Sequence, residues 1–101
     1  MKIDEVRALC YDEAIIITQH LAVRMHERGI KYDEVKEAIL TGEIIEDYPE
    51  DFPYPSCLIL SQSVMLHVVA GVGEGRLWII TAYRPAPDRW EADFKTRKAV
   101  D

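Results

Sequence analysis

Apolar residues in the first 42 positions recur every three or four residues, which is the spacing of one face of an α-helix. Asp4 and Thr18 are expected to cap two of these helices, because their side-chain oxygens can accept a backbone N–H. Gly29 and Gly42 follow the last two, where we expect C′ residues with positive φ. The predicted helices span about 4–11, 19–28 and 32–41.

Strand patterns begin after Gly42. Prolines at positions 49, 53 and 55 exclude a central strand from that stretch, and Gly73-Glu74-Gly75 predicts a hairpin loop. Strict alternation on the last strand would place Trp78, Ile80 and Ala82 on one face. Earlier in the chain, the β-branched run over 14–17 predicts a short extended segment. The predicted strands span about 43–48, 57–61, 65–72 and 76–84.

The end of the chain predicts one more helix. Asp88 and Glu91 stand three residues apart, as in a capping box, and Trp90 and Phe94 follow at helical spacing, so we expect a helix over about 89–98. Helices followed by a run of strands favour an α+β fold. We therefore predict a single domain over residues 1–101: N-terminal helices on a roughly four-stranded antiparallel meander, and a C-terminal helix.

Composition narrows the class of protein. The chain has 101 residues, of which 49% are apolar and 30% charged, so it can bury a core and is not of disordered type. No apolar run approaches the ~20 residues of a membrane helix. The charged start does not predict a secretory signal. Cys10 and Cys57 show no C-x-x-C spacing and fit a reducing compartment. We expect a cytoplasmic protein that does not bind membranes.

The formal charge of −6 is concentrated in half of the chain. Residues 1–50 carry 12 acidic and 6 basic residues, whereas residues 51–101 carry 6 of each. This excess of acid argues against a general nucleic-acid binder. The acidic residues near the middle are either a solvated loop or a docking surface for a basic partner. This acidic cluster consists of Glu43, Glu46, Asp47, Glu50 and Asp51.

A stripe of basic residues lies on the second predicted helix. His20, Arg24 and Arg28 are spaced i, i+4 and i+8, so they share one side of the helix, next to its apolar face. Two arginines can hold a phosphate or carboxylate by paired hydrogen bonds. A neutral histidine near a helix N-terminus can act as a general base. The alternative is structural: the arginines could pair with neighbouring carboxylates.

Further candidates lie on the last two strands. If His67, Tyr83 and Arg84 converged with the stripe, the group could activate a 2′-hydroxyl and stabilise a phosphate without metal. The alternative for His67 is a buried side chain whose hydrogen bonds are satisfied. His20 and His26 fall on different sides of their helix and zinc spacings are absent, so no metal and no cofactor are predicted. The candidate catalytic residues are His20, Arg24, Arg28, His67, Tyr83 and Arg84.

Several stretches resemble, in order and spacing, the bacterial "domain of unknown function 4258" family. The most specific is H-x-x-x-R-M-x-x-R-G-I, which runs from His20 to Ile30, and the resemblance extends from about Ile3 to Arg97. It implies a distant similarity to toxin ribonucleases of the RelE and BrnT type, which place helices against an antiparallel sheet. His20, Arg24 and Arg28 match the helix motif of the family. The other stretches are 42–49, 55–60, 66–69 and 80–83.

Two functions follow from these observations. The first is a metal-independent ribonuclease in which His20 is the acid/base and Arg24, Arg28 and Arg84 bind phosphate; its partners would be RNA and an antitoxin-like protein. The second is a non-catalytic protein-interaction domain in which the stripe is structural. Burial of His20 and His67 would count against catalysis. A homodimer through the 43–48 strand, or through the predicted helix with Trp90 and Phe94, is compatible with both.

Overall fold

The computed structural model describes residues 1–99, which form three helices and five strands in an α+β arrangement. The helices confirm the apolar periodicity, and their ends differ from the prediction by a few residues at most. Among these residues no helix is both long and apolar enough to cross a bilayer. The elements are α1 (Ile3–Ala8), β1 (Ile15–Ile17), α2 (Gln19–Glu27), α3 (Tyr32–Thr41), β2 (Glu43–Tyr48), β3 (Ser56–Ser61), β4 (Leu66–Gly73) and β5 (Arg76–Tyr83).

The sheet has five strands in the order β1-β5-β4-β3-β2. The last four strands form the predicted antiparallel meander. The prediction of four strands missed β1, which lies parallel to β5 at the edge, with Ile15 opposite Leu77 and Ile17 opposite Ile79. A three-residue apolar run carries no signal that identifies its partner strand, because the pairing joins segments about 60 residues apart.

The helices cover one face of this sheet. Asp4 does not cap α1 as predicted, because the helix begins after Lys2, without a side-chain cap, and Asp4 lies in its first turn. The ends of α2 agree with the prediction. The Thr18 hydroxyl accepts a hydrogen bond from the Leu21 N–H at 3.1 Å, as expected of an N-cap. Gly29 has a φ of 67° and ends α2 as predicted. The core between the layers is apolar. It includes Val6, Leu21, Met25, Val35 and Ile39 from the helices, and Ile59, Val68, Leu77 and Ile79 from the sheet.

Gly42 does not adopt the positive φ that was predicted for it. Its φ is −88° and its ψ −178°, so it is extended rather than left-handed. A Cβ atom there would lie 2.4 Å from the Ala38 carbonyl oxygen and 2.7 Å from that of Leu60. Glycine at this position therefore allows α3 to pass directly into β2 against the neighbouring strand.

A β-bulge changes which residues of β5 face the helices. Val69 pairs with Thr81 and Ala70 with Ile79, so Ile80 is an extra residue without a partner in β4. The Ile80 side chain is 51% exposed. Strict alternation along β5 was therefore wrong beyond Ile79. The residues on the helix side are Leu77, Ile79 and Ala82, and those on the opposite side are Trp78, Thr81 and Tyr83.

The predicted helix over 89–98 is absent. Residues 85–99, hereafter the C-terminal strap, fold instead into turns closed by a bridge between Trp90 and Arg97. The Asp93 carboxylate accepts hydrogen bonds from the backbone N–H groups of Lys95 and Thr96 at 2.8 and 3.0 Å. Such local side-chain bonds compete with helix formation. The strap lies on the sheet face opposite the helices.

Candidate functional site

The six candidate residues occupy separate environments. His20, Arg24 and Arg28 lie on α2, on the helix side of the sheet, whereas His67 and Tyr83 lie on the opposite face. Arg84 follows β5 and contacts α3. Within residues 1–99, no side-chain hydrogen bond joins the α2 stripe to the His67–Tyr83 pair.

All three residues of the stripe are exposed, but only Arg28 has a hydrogen-bond partner among the described residues. Within residues 1–99, His20 and Arg24 are exposed and make no side-chain hydrogen bond or ion pair. The Arg28 guanidinium donates to the Ala82 carbonyl oxygen at 2.9 Å. Because β1 pairs only with Leu77–Ile79, this carbonyl lies on the part of β5 that β1 does not reach. Arg28 thus supplies the hydrogen bond that another strand would have made.

Arg84 has a comparable role. It donates to the Val64 carbonyl oxygen at 2.7 Å and to the Glu34 carboxylate at 2.8 Å. The Arg84 hydrogen bond holds the pKa of Glu34 below its usual value. Arg84 therefore connects the end of β5 to the β3–β4 turn and to the start of α3.

His67 is fully buried, at 0% exposure, and both of its ring nitrogens are engaged. Nε2 lies 2.8 Å from the Phe94 carbonyl oxygen, and Nδ1 lies 3.2 Å from the Tyr83 hydroxyl. A carbonyl oxygen only accepts, so Nε2 carries the proton and Nδ1 accepts from Tyr83. The Trp90 ring packs against the imidazole almost at a right angle, at 87°, with a centroid separation of 4.5 Å.

These contacts determine the chemistry open to the pair. Burial lowers the pKa of His67 and raises the pKa of Tyr83, so both are neutral near pH 7. With both nitrogens hydrogen-bonded and the side chain fully buried, no solvent-facing proton acceptor is left on His67. The arrangement joins β4 to the strap, and substrate could reach His67 only if the strap moved away.

Most residues of the acidic cluster form ion pairs or hydrogen bonds with other groups of the chain. Glu43 pairs with Lys95 at 2.6 Å and Glu46 with Arg97 at 2.9 Å, which fastens the strap to β2. The Arg97 hydrogen bond lowers the pKa of Glu46. The other contacts are those of Asp47 with the N-terminal amine at 2.9 Å and of Asp51 with the Ser56 hydroxyl.

An apolar cleft of about 380 Å³ is the feature that the sequence analysis missed. It opens on the strap side of the sheet, away from His67, between the strand residues Ile16, Trp78 and Ile80 and the loop residues Phe52–Tyr54. Phe52 stands at its mouth with 95% of its surface exposed.

One wall of the cleft is fixed by an aromatic stack. The rings of Tyr54 and Trp78 lie 5.3 Å apart at 24°. The Tyr54 hydroxyl donates to the Glu74 carboxylate, and Trp78 Nε1 donates to the Gly73 carbonyl oxygen at 3.0 Å. A Cβ at Gly73 would lie 2.0 Å from the Tyr54 ring. This glycine makes room for the ring and is a strand residue rather than part of the turn.

A signal for the cleft was present in the sequence. The loop reads Phe52-Pro53-Tyr54-Pro55, in which aromatic residues alternate with prolines. Proline restricts the backbone of such a loop and disfavours a regular helix or strand there. The aromatic side chains therefore remain on a loop. From sequence alone, these prolines predicted only the absence of a central strand.

Within residues 1–99, no group of three or more His, Cys, Asp and Glu side chains is arranged to hold a metal ion. The comparisons with known proteins add one finding: residues 17–84 match the model of a family described as a domain of unknown function, DUF4258. This range includes all six candidate residues and every cleft residue except Ile16, and it leaves out α1 and the strap. No curated protein and no solved structure matches the chain.

Proposed function

The chain belongs to the DUF4258 family, and on that premise we propose that it is a non-catalytic protein-interaction domain with a fold of the RelE/BrnT toxin type. The observation that carries the proposal is the contrast between two sites. His67, Tyr83, Arg28 and Arg84 are engaged in internal contacts, whereas the cleft presents unpaired apolar surface to solvent. A concave apolar pocket of this kind is a typical binding site.

The cleft has the features of a protein-docking site. Its wall is an aromatic pair held by hydrogen bonds, so it is formed before a partner arrives. Aromatic residues in preformed apolar pockets contribute much of the binding energy of protein interfaces.

Cys10 and Cys57 are free thiols, which supports the reducing cytoplasm as the place where this domain works.

A photo-crosslinking amino acid tests the proposal in cells. Placed at position 52, it should capture a partner protein; placed at Leu40, which is exposed on α3, it should not. Capture counts only if the purified partner rebinds the unmodified domain. Equal crosslinking from both positions, or no partner from position 52, would contradict the proposal.

A second function is favoured by one observation. His20 and Arg24 are exposed one turn apart on α2 and have no partner within residues 1–99, so they remain open to a phosphate. We propose metal-independent ribonuclease activity at this pair as the competing hypothesis, with RNA as substrate and an antitoxin-like protein as partner. The acidic surface of the chain works against it, because phosphates are repelled.

RNA cleavage separates the two functions. Purified protein incubated with RNA and a chelator should leave the RNA intact if the domain is non-catalytic. Cleavage that is lost in His20→Ala and kept in His26→Ala would establish the ribonuclease instead, since His26 lies on another side of the same helix. Growth arrest on expression that requires His20 would point the same way.

A further inference from the structure

We infer that the cleft binds a segment of a partner protein that presents an apolar side chain flanked by lysine or arginine. The inference rests on the proposed function and names the chemistry of the partner. Two observations carry it: the apolar lining of the cleft and the charge of its surroundings.

The lining selects an apolar side chain. Ile16, Trp78 and Ile80 form the strand side of the cleft, and Phe52 forms its mouth. A space of about 380 Å³ is at the lower end of ligand pockets and accommodates one or two large apolar side chains. Burying one such side chain contributes roughly 1.5–3 kcal/mol.

The residues around the lining select positive charge. Glu50 and Asp51 immediately precede Phe52. The Glu74 carboxylate accepts a hydrogen bond from the Tyr54 hydroxyl. The one basic residue on this part of β5 is Arg76, which shares the face of Trp78. None of these four side chains forms an ion pair within residues 1–99, so the surroundings of the cleft keep an excess of negative charge, as does the whole chain at −6.

This charge distinguishes among possible occupants. RNA would bring phosphates to carboxylates, and the repulsion opposes binding. A second copy of the chain would bring an identical acidic surface to the same place, and like charges across an interface are unfavourable. The same negative charge attracts a basic partner, which raises the association rate and favours one binding register.

A peptide titration tests the inference. The probe is a short synthetic peptide with two leucines among lysines and glycines. Binding is followed by the tryptophan fluorescence of the unaltered domain, in which Trp78 lines the cleft and Trp90 is buried. We expect saturable binding that weakens as salt rises from about 50 to about 300 mM. A sister peptide with glutamates in place of the lysines, and another with alanines in place of the leucines, should both bind at least tenfold more weakly.

Variants locate the binding. Phe52→Ala should weaken binding of the lysine–leucine peptide about tenfold, and Glu50→Lys should weaken it severalfold. Both residues are exposed, so folding is preserved. Leu40→Ala is the matched control, because Leu40 is 52% exposed on α3, and it should leave binding unchanged.

The following outcomes would overturn the inference. Tighter binding of the glutamate peptide would contradict the charge argument, and equal loss in Leu40→Ala would show nonspecific apolar binding. Self-association that disappears in Phe52→Ala would make a second copy the occupant. If position 52 crosslinks a partner through an acidic segment, the proposed interaction function stands and the inferred partner chemistry falls.

Discussion

His67 Nε2 donates a hydrogen bond to the Phe94 carbonyl oxygen at 2.8 Å, and this bond ties strand β4 to the C-terminal strap. His67 lies inside the range that matches the family model, whereas Phe94 lies outside it. The strap therefore lies outside the matched region and covers part of the sheet face, while the cleft lies open on another part of the same face. The protonation and hydrogen bonding of the His67 ring should therefore show whether the strap is docked on the sheet.

Protonation of His67 is expected to destabilise the folded chain. Burial lowers the pKa of His67 below its ordinary value of 6.5, so below pH 6.5 the unfolded chain binds more protons than the folded chain. This contribution to stability is therefore present above pH 6.5 and is lost as the pH falls through the lowered pKa. An NMR titration of the His67 ring should give a midpoint below 6.5. Tyr83→Phe keeps the burial and should keep the direction of the shift; a midpoint at or above 6.5 contradicts the prediction.

Loss of Arg28 should weaken the edge of the sheet. Arg28→Ala removes the donor to the Ala82 carbonyl and should lower the free energy of unfolding by about 1 kcal/mol. Arg24→Ala is the control on the same helix: Arg24 has no partner within residues 1–99, so the change should stay within about 0.5 kcal/mol. Urea denaturation of both variants measures the difference. Equal losses would show that Arg28 contributes nothing through this bond.

Gly42→Ala should destabilise the chain by about 2–3 kcal/mol, because the new methyl group would collide with backbone carbonyl oxygens of α3 and β3. Gly29→Ala provides the comparison. Its added Cβ meets open space, and only the left-handed backbone opposes it, at about 1 kcal/mol. Thermal unfolding should rank Gly42→Ala as the more damaging change, and the reverse order would refute the close approach at Gly42.

Trp90→Ala should release the strap. Trp90 is buried against His67, and the Arg97 guanidinium lies 4.7 Å from its ring centroid. Losing this side chain should cost about 3 kcal/mol and raise the fraction of detached strap by roughly a hundredfold. Limited trypsin digestion after Lys95 measures that fraction, because cleavage follows the open population. Glu91→Ala, an exposed change in the same strap, should leave the rate unaltered; equal rates in the two variants would show that Trp90 does not hold the strap.

The sequence by itself determined the features whose signals lie within a few residues. Thr18 and Gly29 mark the ends of α2, since a cap needs only neighbouring backbone groups. Glu74 and Gly75 both have positive φ and form the predicted hairpin turn. The stripe on α2 was also evident, because helical periodicity places His20 and Arg24 on one side wherever the helix packs.

Only the tertiary structure decided which distant residues meet. It paired β1 with β5, and it shifted the faces of β5 through the extra residue Ile80. It also turned the end of the chain into a strap, because Trp90 buries its ring against His67 while Asp93 bonds the local backbone. Such pairings depend on contacts between segments far apart in the chain, which no local pattern encodes. The same contacts engage Arg28 and Arg84 and leave the Phe52 cleft open, so the candidate site follows from packing and not from motif.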